Sequence, residues 1–262
     1  MVTLTGGIFL VAFALQMGAT NAEIGLLAAI PPLGALVQLP AVKLIDRVRN
    51  RRLICILTSS SSRLLWMPIA LIPFILTENR IPVLVGILTL YAVISSIGHC
   101  SWSSRMRDLV PRDILGSFFS RRMALSIAAG ILIALAAGSF IDRRGGSLSG
   151  GYSFIFLVGF LAGIAGIFFL ARIPEPVMQT DRHLPLRTLL ARAWTDTNFK
   201  NLIIFLGLWN FAVNLAAPFF TVYLLKNIGL GIGSVIALGV TSQGSECHLS
   251  SLLGEDHRPV QQ

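Results

Sequence analysis

The chain alternates long apolar stretches with short polar gaps, and the stretches have the length of a bilayer. Seven of them run approximately from Val2 to Ala19, Ile24 to Ile45, Leu53 to Leu76, Pro82 to Ser103, Met123 to Ile141, Tyr152 to Ala171 and Leu202 to Leu225. Some 20 apolar residues, at about 1.5 Å of rise each, cross a hydrocarbon core of roughly 30 Å. In lipid, each backbone N–H and C=O has to be satisfied within its own segment. The runs show no inside/outside alternation, so the pattern predicts helices and excludes barrel strands. The predicted fold is an all-α membrane protein.

The gaps differ in charge. The gap after the second stretch carries Lys43, Arg47, Arg49, Arg51 and Arg52. The gap after the fourth carries Arg105, Arg107, Arg112, Arg121 and Arg122, and the gap after the sixth Arg172, Arg182, Arg187, Arg192 and Lys200. These make up 15 of the 21 basic residues, whereas the opposite gaps hold Arg80, Arg143 and Arg144, with Lys226 after the seventh stretch. By the positive-inside rule the basic loops are cytoplasmic. The expectation is a multi-pass protein of the cell (inner) membrane with a cytoplasmic N-terminus, and the lipid bilayer as its first partner. The net charge of +9 is then a consequence of topology. No separate basic domain exists, so nucleic acid is not expected as a partner. The first stretch lacks a basic leader and runs almost directly into another helix, unlike a cleaved signal peptide. Cys55, Cys100 and Cys247 lie far apart, with neither metal-ligand nor disulfide-framework spacing, and no cofactor or metal is expected.

The longest polar segment, Arg172 to Lys200, opens with Pro174, Pro176 and Pro185 and closes on a short amphipathic piece, Leu186 to Trp194. Prolines that stop a helix, followed by a membrane-surface helix, mark a linker between bundles. The expected organisation is a six-helix transmembrane bundle over 1–172 and a cytoplasmic linker over 173–200. The start of a second bundle follows over 201–240, with helix 7 and part of helix 8, and then an atypical polar tail over 241–262. Ile228 to Val240 is too short to span, and the composition turns polar at Thr241. The expectation is a chain that stops part-way through a larger protein, whose missing second bundle would be its natural partner. Ile45-Asp46-Arg47 at the end of the second stretch recurs as Ile141-Asp142-Arg143 at the end of the fifth. The copies fall on opposite membrane faces, as a 3+3 inverted repeat requires.

Arg63 is the sharpest single residue. It lies near the centre of the third stretch, about 15 Å from either end and beyond easy snorkelling reach. Ser59, Ser60, Trp66 and Met67 share its helix face. No acidic residue stands at matching depth in another stretch, so its partner is water, a carbonyl, a polar side chain or a ligand. Two readings stay open: a hydrated cavity for a small molecule with an anionic group, with Arg63 and Trp66 in its wall, or an Arg that ties helices together through carbonyls. Asn210 and Asn214, four apart with Pro218 a turn further, either line a cavity or bond between helices. His99 has the pKa range for a proton shuttle but sits towards the cytoplasmic end. Gln16, Glu23 and Gln38 lie near helix ends, where interfacial water suffices. Gly130 and Gly138 with neighbouring alanines make the fifth helix narrow, as close packing requires. The carboxylates Asp108 and Asp113 are five apart among arginines, unlike the D-x-x-D of metal-dependent intramembrane transferases. The serines beside His99 have no further recognisable partner. No catalytic residue is assigned, and an intramembrane enzyme is disfavoured.

The loop "KLIDRVRNRRL", Lys43 to Leu53, resembles the motif between helices 2 and 3 of the major facilitator superfamily. Asp46 and Arg47 match its Asp-Arg pair, and Arg51 and Arg52 its later basic positions. Val42 and Arg49 replace the motif's two glycines, which bears on how closely the loop packs. "RDLVPRDILGSFFSRR", Arg107 to Arg122, is similar to the acid-x-x-Pro block joining helices 4 and 5, and "WNFAVNLAAPFFTVYLL", Trp209 to Leu225, looks like helix 7 of that family. The resemblance covers residues 1 to about 243. It implies a secondary active transporter that moves a small solute by alternating access, and a gating role for the loop at Asp46, Arg47, Arg51 and Arg52. The alternative it leaves open is an inactive fragment of such a transporter.

Overall fold

The computed structural model describes residues 1–48, 50–143, 148–174, 188 and 194–241, with the backbone alone at 46, 112, 148 and 149. The described residues form helices and connecting turns, with no strand among them. We name the helices α1 (Val2–Gln16), α2 (Asn21–Ile45), α3 (Arg51–Ile75), α4 (Arg80–Leu109), α5 (Leu115–Arg143), α6 (Gly150–Arg172), α7 (Thr197–Asn227) and α8 (Ile232–Thr241). The six from α2 to α7 are long and apolar enough to cross a membrane, while α1 and α8 are shorter. Leu125, Leu132, Leu161 and Phe168 stand exposed on the outside. In a bilayer that surface faces acyl chains, so the arrangement is an all-α membrane bundle.

Three of the stretches that read as continuous are interrupted. In α1 the helix breaks at Gly6, which is extended, and Gly7 takes φ +54°, a left-handed conformation that a Cβ would strain. In α2 the pair Pro31-Pro32 removes two donors, and the helix loosens into a turn at Leu36 and Val37 before resuming. In α3 the turn falls at Leu65, where Pro68 leaves the Leu64 carbonyl without its usual donor. Hydropathy is insensitive to these breaks because both halves of each helix stay apolar. At the polar ends, α4 and α5 run a turn or two beyond the apolar stretches that predict them.

Side-chain caps fix several starts. Thr20 and Glu23 form a reciprocal capping box on α2, with the Thr20 N–H donating to Glu23 Oε2 at 2.7 Å. Asn50 accepts from the Leu53 N–H (2.9 Å) at α3, and Asp196 from the Asn198 and Phe199 N–H groups (3.0 and 3.2 Å) at α7. Glu23 is thus a cap, where interfacial solvation alone was expected.

The core lies where α3 packs against α4 and α6, with α2 against α4 and the start of α1 against α5 and α6. At its centre, Trp66 meets Tyr91 and Phe156 at ring-centroid distances of 5.4 and 5.5 Å, and Phe13 meets Phe156 edge-on at 4.9 Å. The narrow face of α5 is occupied: a Cβ on Gly138 would stand 3.0 Å from the Gly233 Cα of α8, and one on Gly130 3.1 Å from Thr3 Oγ1 of α1. Beside Gly138, the Asp142 carboxylate accepts from the first two N–H groups of α8, Ile232 at 3.0 Å and Gly233 at 2.9 Å. An acid on the positive end of a helix satisfies donors that would otherwise be orphaned. The helix α7 leans on α1 and α2, with the Phe219 ring close to Gly25. Most of the linker piece Leu186 to Trp194, and the tail over 242–262 with Cys247, lie outside the described residues.

Candidate functional site

Arg63 occupies the midpoint of α3 and reaches across to α6. The approach depends on two glycines: a Cβ on Gly163 would meet Arg63 Cδ at 3.0 Å and Cγ at 3.2 Å, and one on Gly166 would meet Nη2 at 3.8 Å. The aliphatic stem of Arg63 therefore lies in a notch that only missing side chains provide. At the tip, Nη1 is buried with no hydrogen-bond partner among the described residues. A guanidinium at this depth is expensive to desolvate unless something polar meets it.

What Arg63 faces is a cavity of about 730 Å³, within the usual size range of small-molecule sites. Its wall takes Pro31, Ala35 and Gln38 from α2, Ser59 and Ser62 from α3, Tyr91, Ser95, Ser96, His99 and Trp102 from α4, Arg122 from α5, and Gly166, Phe169 and Leu170 from α6. The Arg122 guanidinium lies over the Trp102 ring, 4.5 Å from its centroid, and His99 lies 6.4 Å from the same ring. The cavity thus extends from the middle of the bundle towards the end that carries the basic loops. A second cavity of about 380 Å³, lined by Thr5, Leu27, Trp66 and Leu88, shares Pro31, Tyr91, Ser95 and Ser96 with the first. A third, of about 820 Å³, lies at the opposite end between α1, α5 and the α7–α8 turn, with Gln16, Asp142 and Tyr152 in its wall.

Of the residues singled out from sequence, Gln38, Ser59, Arg63 and His99 come together in one cavity. Trp66 is fully buried in the adjoining one, with Tyr91 between them. Asn210 and Asn214 are exposed on α7, and each side-chain amide donates to its own helix, at the Leu206 and Asn210 carbonyls (2.8 Å each). Asp46 directly follows α2, in the helical run Gln38–Val48, with its side chain outside the described residues, and Arg47 is exposed. Arg51 is buried and ion-paired with Asp108 of α4, and its carbonyl accepts from Ser101 Oγ at 2.9 Å. Arg52 donates to the Ala171 carbonyl at the end of α6 (2.6 Å). The two later basic positions of the loop therefore clamp the start of α3 onto α4 and α6.

Arg105 completes that clamp and was not singled out as more than a loop charge. It is fully buried and donates to the carbonyls of Ile173 and Pro174, where the chain leaves α6. Trp102, Arg122 and the serines of the wall were likewise not assigned to the cavity. The glycine notch had a signal in the run "GFLAGIAG", Gly159 to Gly166, whose spacing puts small residues along one side of α6. Among the described residues no three His, Cys, Asp or Glu side chains gather as a metal site.

A family model described as the Major Facilitator Superfamily matches residues 1–245. No curated protein and no solved structure matches the chain.

Proposed function

The chain belongs to the major facilitator superfamily, a family of transporters, and on that premise we propose that it moves a small solute across the cell membrane by alternating access, with the Arg63 cavity as its solute site. The observation that carries the reading is that half-buried Arg63, at the midpoint of α3, stands in the wall of a cavity of about 730 Å³ at mid-bundle. Arg105 is the contrasting structural arginine: its Nη2 donates to the Ile173 and Pro174 carbonyls and it lines no part of this cavity, whereas Arg63 does.

The organisation that goes with this is a bundle over 1–172, a cytoplasmic linker over 173–200, and the start of a second bundle over 201–240. The basic loops and the N-terminus face the cytoplasm. Asn210 and Asn214 are the second bundle's first contribution of polar groups, and His99, at the basic end of the wall, is the proton-coupling candidate. Arg51 and Arg52 belong to the gating loop as its hinge side, since they hold α3 to α4 and α6, while Asp46 and Arg47 form its outer face.

The test is uptake by proteoliposomes containing the protein, offered a panel of organic anions and drug-like cations. Arg63→Ala is expected to abolish uptake while keeping the wild-type elution volume and helical circular dichroism. Normal transport by a normally folded Arg63→Ala protein would overturn the assignment of the site.

A further inference from the structure

Resting on the Arg63 cavity as the solute site, we infer that the solute is an organic anion with an apolar body. The charge inventory of the wall is one-sided. Arg63 and Arg122 both line it, and none of the described lining residues is Asp or Glu. At the basic end, Asp108 is already held by Arg51. A cation entering this space would meet two guanidiniums and no acid among the described lining residues, whereas an anion would meet both as counter-charges. The serines of the wall carry no charge to offset this balance, and Ser62 and Ser95 donate to the backbone of their own helices, at the Ser59 and Ala92 carbonyls (3.1 and 3.2 Å). Recognition of charge therefore falls to the arginines. Trp102, Phe169 and Leu170 supply the apolar part of the wall, which suits a carboxylate, sulfonate or phosphate ester on a hydrocarbon or aromatic frame better than a small inorganic ion.

Ser95, on the same wall, allows a test that does not require the natural solute. In a background with Cys55, Cys100 and Cys247 replaced by Ser, Ser95→Cys is labelled with two methanethiosulfonate reagents of similar size, one ending in sulfonate and one in trimethylammonium. Each rate is normalised to reaction with a free thiol. The anionic reagent is expected to be favoured by about tenfold or more, as a cavity of one sign concentrates the opposite ion. That preference should collapse towards unity in Arg63→Gln and persist in Arg63→Lys. Should Arg63→Gln fail to fold, Arg122→Gln is expected to lower the preference in the same direction. A preference for the cation, a preference untouched by either neutral substitution, or no reaction with either reagent would each overturn the inference. Uptake separates it from the transport reading. Transport of cations alone would overturn the anion assignment and leave a transporter. Anion-selective labelling with no uptake of any panel solute would leave the anion site and remove transport.

Discussion

Gly163 shows how much of the site depends on an absent side chain. A Cβ there would press on Arg63 at 3.0 Å, while Gly166 leaves 3.8 Å. Gly166→Ala is therefore expected to be close to neutral. Gly163→Leu, which fills the notch outright, should cost about 1–3 kcal/mol by overpacking, read as a lower thermal midpoint in detergent together with loss of the anion preference at Ser95→Cys. A second expectation concerns Asp108, a residue weighed from sequence only with Asp113, as two carboxylates five apart among arginines. It neutralises the buried Arg51, so Asp108→Asn should destabilise by about 1–3 kcal/mol, because a buried charge is left without the acid it pairs with. Arg51→Met added to Asp108→Asn should recover part of the loss in the same thermal measurement. The depth and isolation of Arg63 were legible in the sequence, since both follow from counting along α3. The identity of its neighbours was not, because Trp102 and Arg122 sit in stretches whose composition says "helix end" and nothing about which face turns inward.

The helices themselves were legible at their middles and illegible at their joints. Hydropathy places α4 and α6 to within a turn or two, because burial in lipid makes whole segments apolar. It does not reveal the turn at Leu65, since Pro68 and the serines before it leave the mean hydropathy of α3 high enough to span. The small residues of α5 announced a close contact, and the partner proves to be α1 at Gly130 and α8 at Gly138. Asp142 was noticed only as half of an echo with Asp46, and its use as the cap of α8 depends on a contact about ninety residues away in sequence. Asp142→Ala should release the Ile232 and Gly233 amides. Hydrogen exchange across α8 is expected to quicken about tenfold, in keeping with the loss of charge-assisted bonds to a helix start. Unchanged exchange would mean that the carboxylate is solvated rather than engaged.

At the scale of the molecule, the topology is the expectation most open to direct trial. Cysteine placed by Glu78→Cys, in the turn between α3 and α4, should react with an impermeant reagent from outside intact cells. Arg107→Cys, at the other end of α4, should react only after the membrane is opened. The reverse pattern would invert the assignment drawn from the Lys and Arg bias. The all-helical bundle was legible because the bilayer leaves so few alternatives for a backbone. The cavity was not, because it forms between helices that are individually unremarkable. The Asp142 contact has a consequence for the cycle proposed above. It joins α5 to α8 at the end away from the basic loops, while the Arg63 cavity extends towards those loops. A bond present in one state of a two-state equilibrium is a weight on that state alone. Removing a bond worth about 1.4 kcal/mol shifts the ratio of the two states tenfold whatever the solute concentration. Asp142→Asn should accordingly alter the apparent affinity measured from one side of the membrane in the opposite sense from the other, with the chemistry of the cavity unchanged.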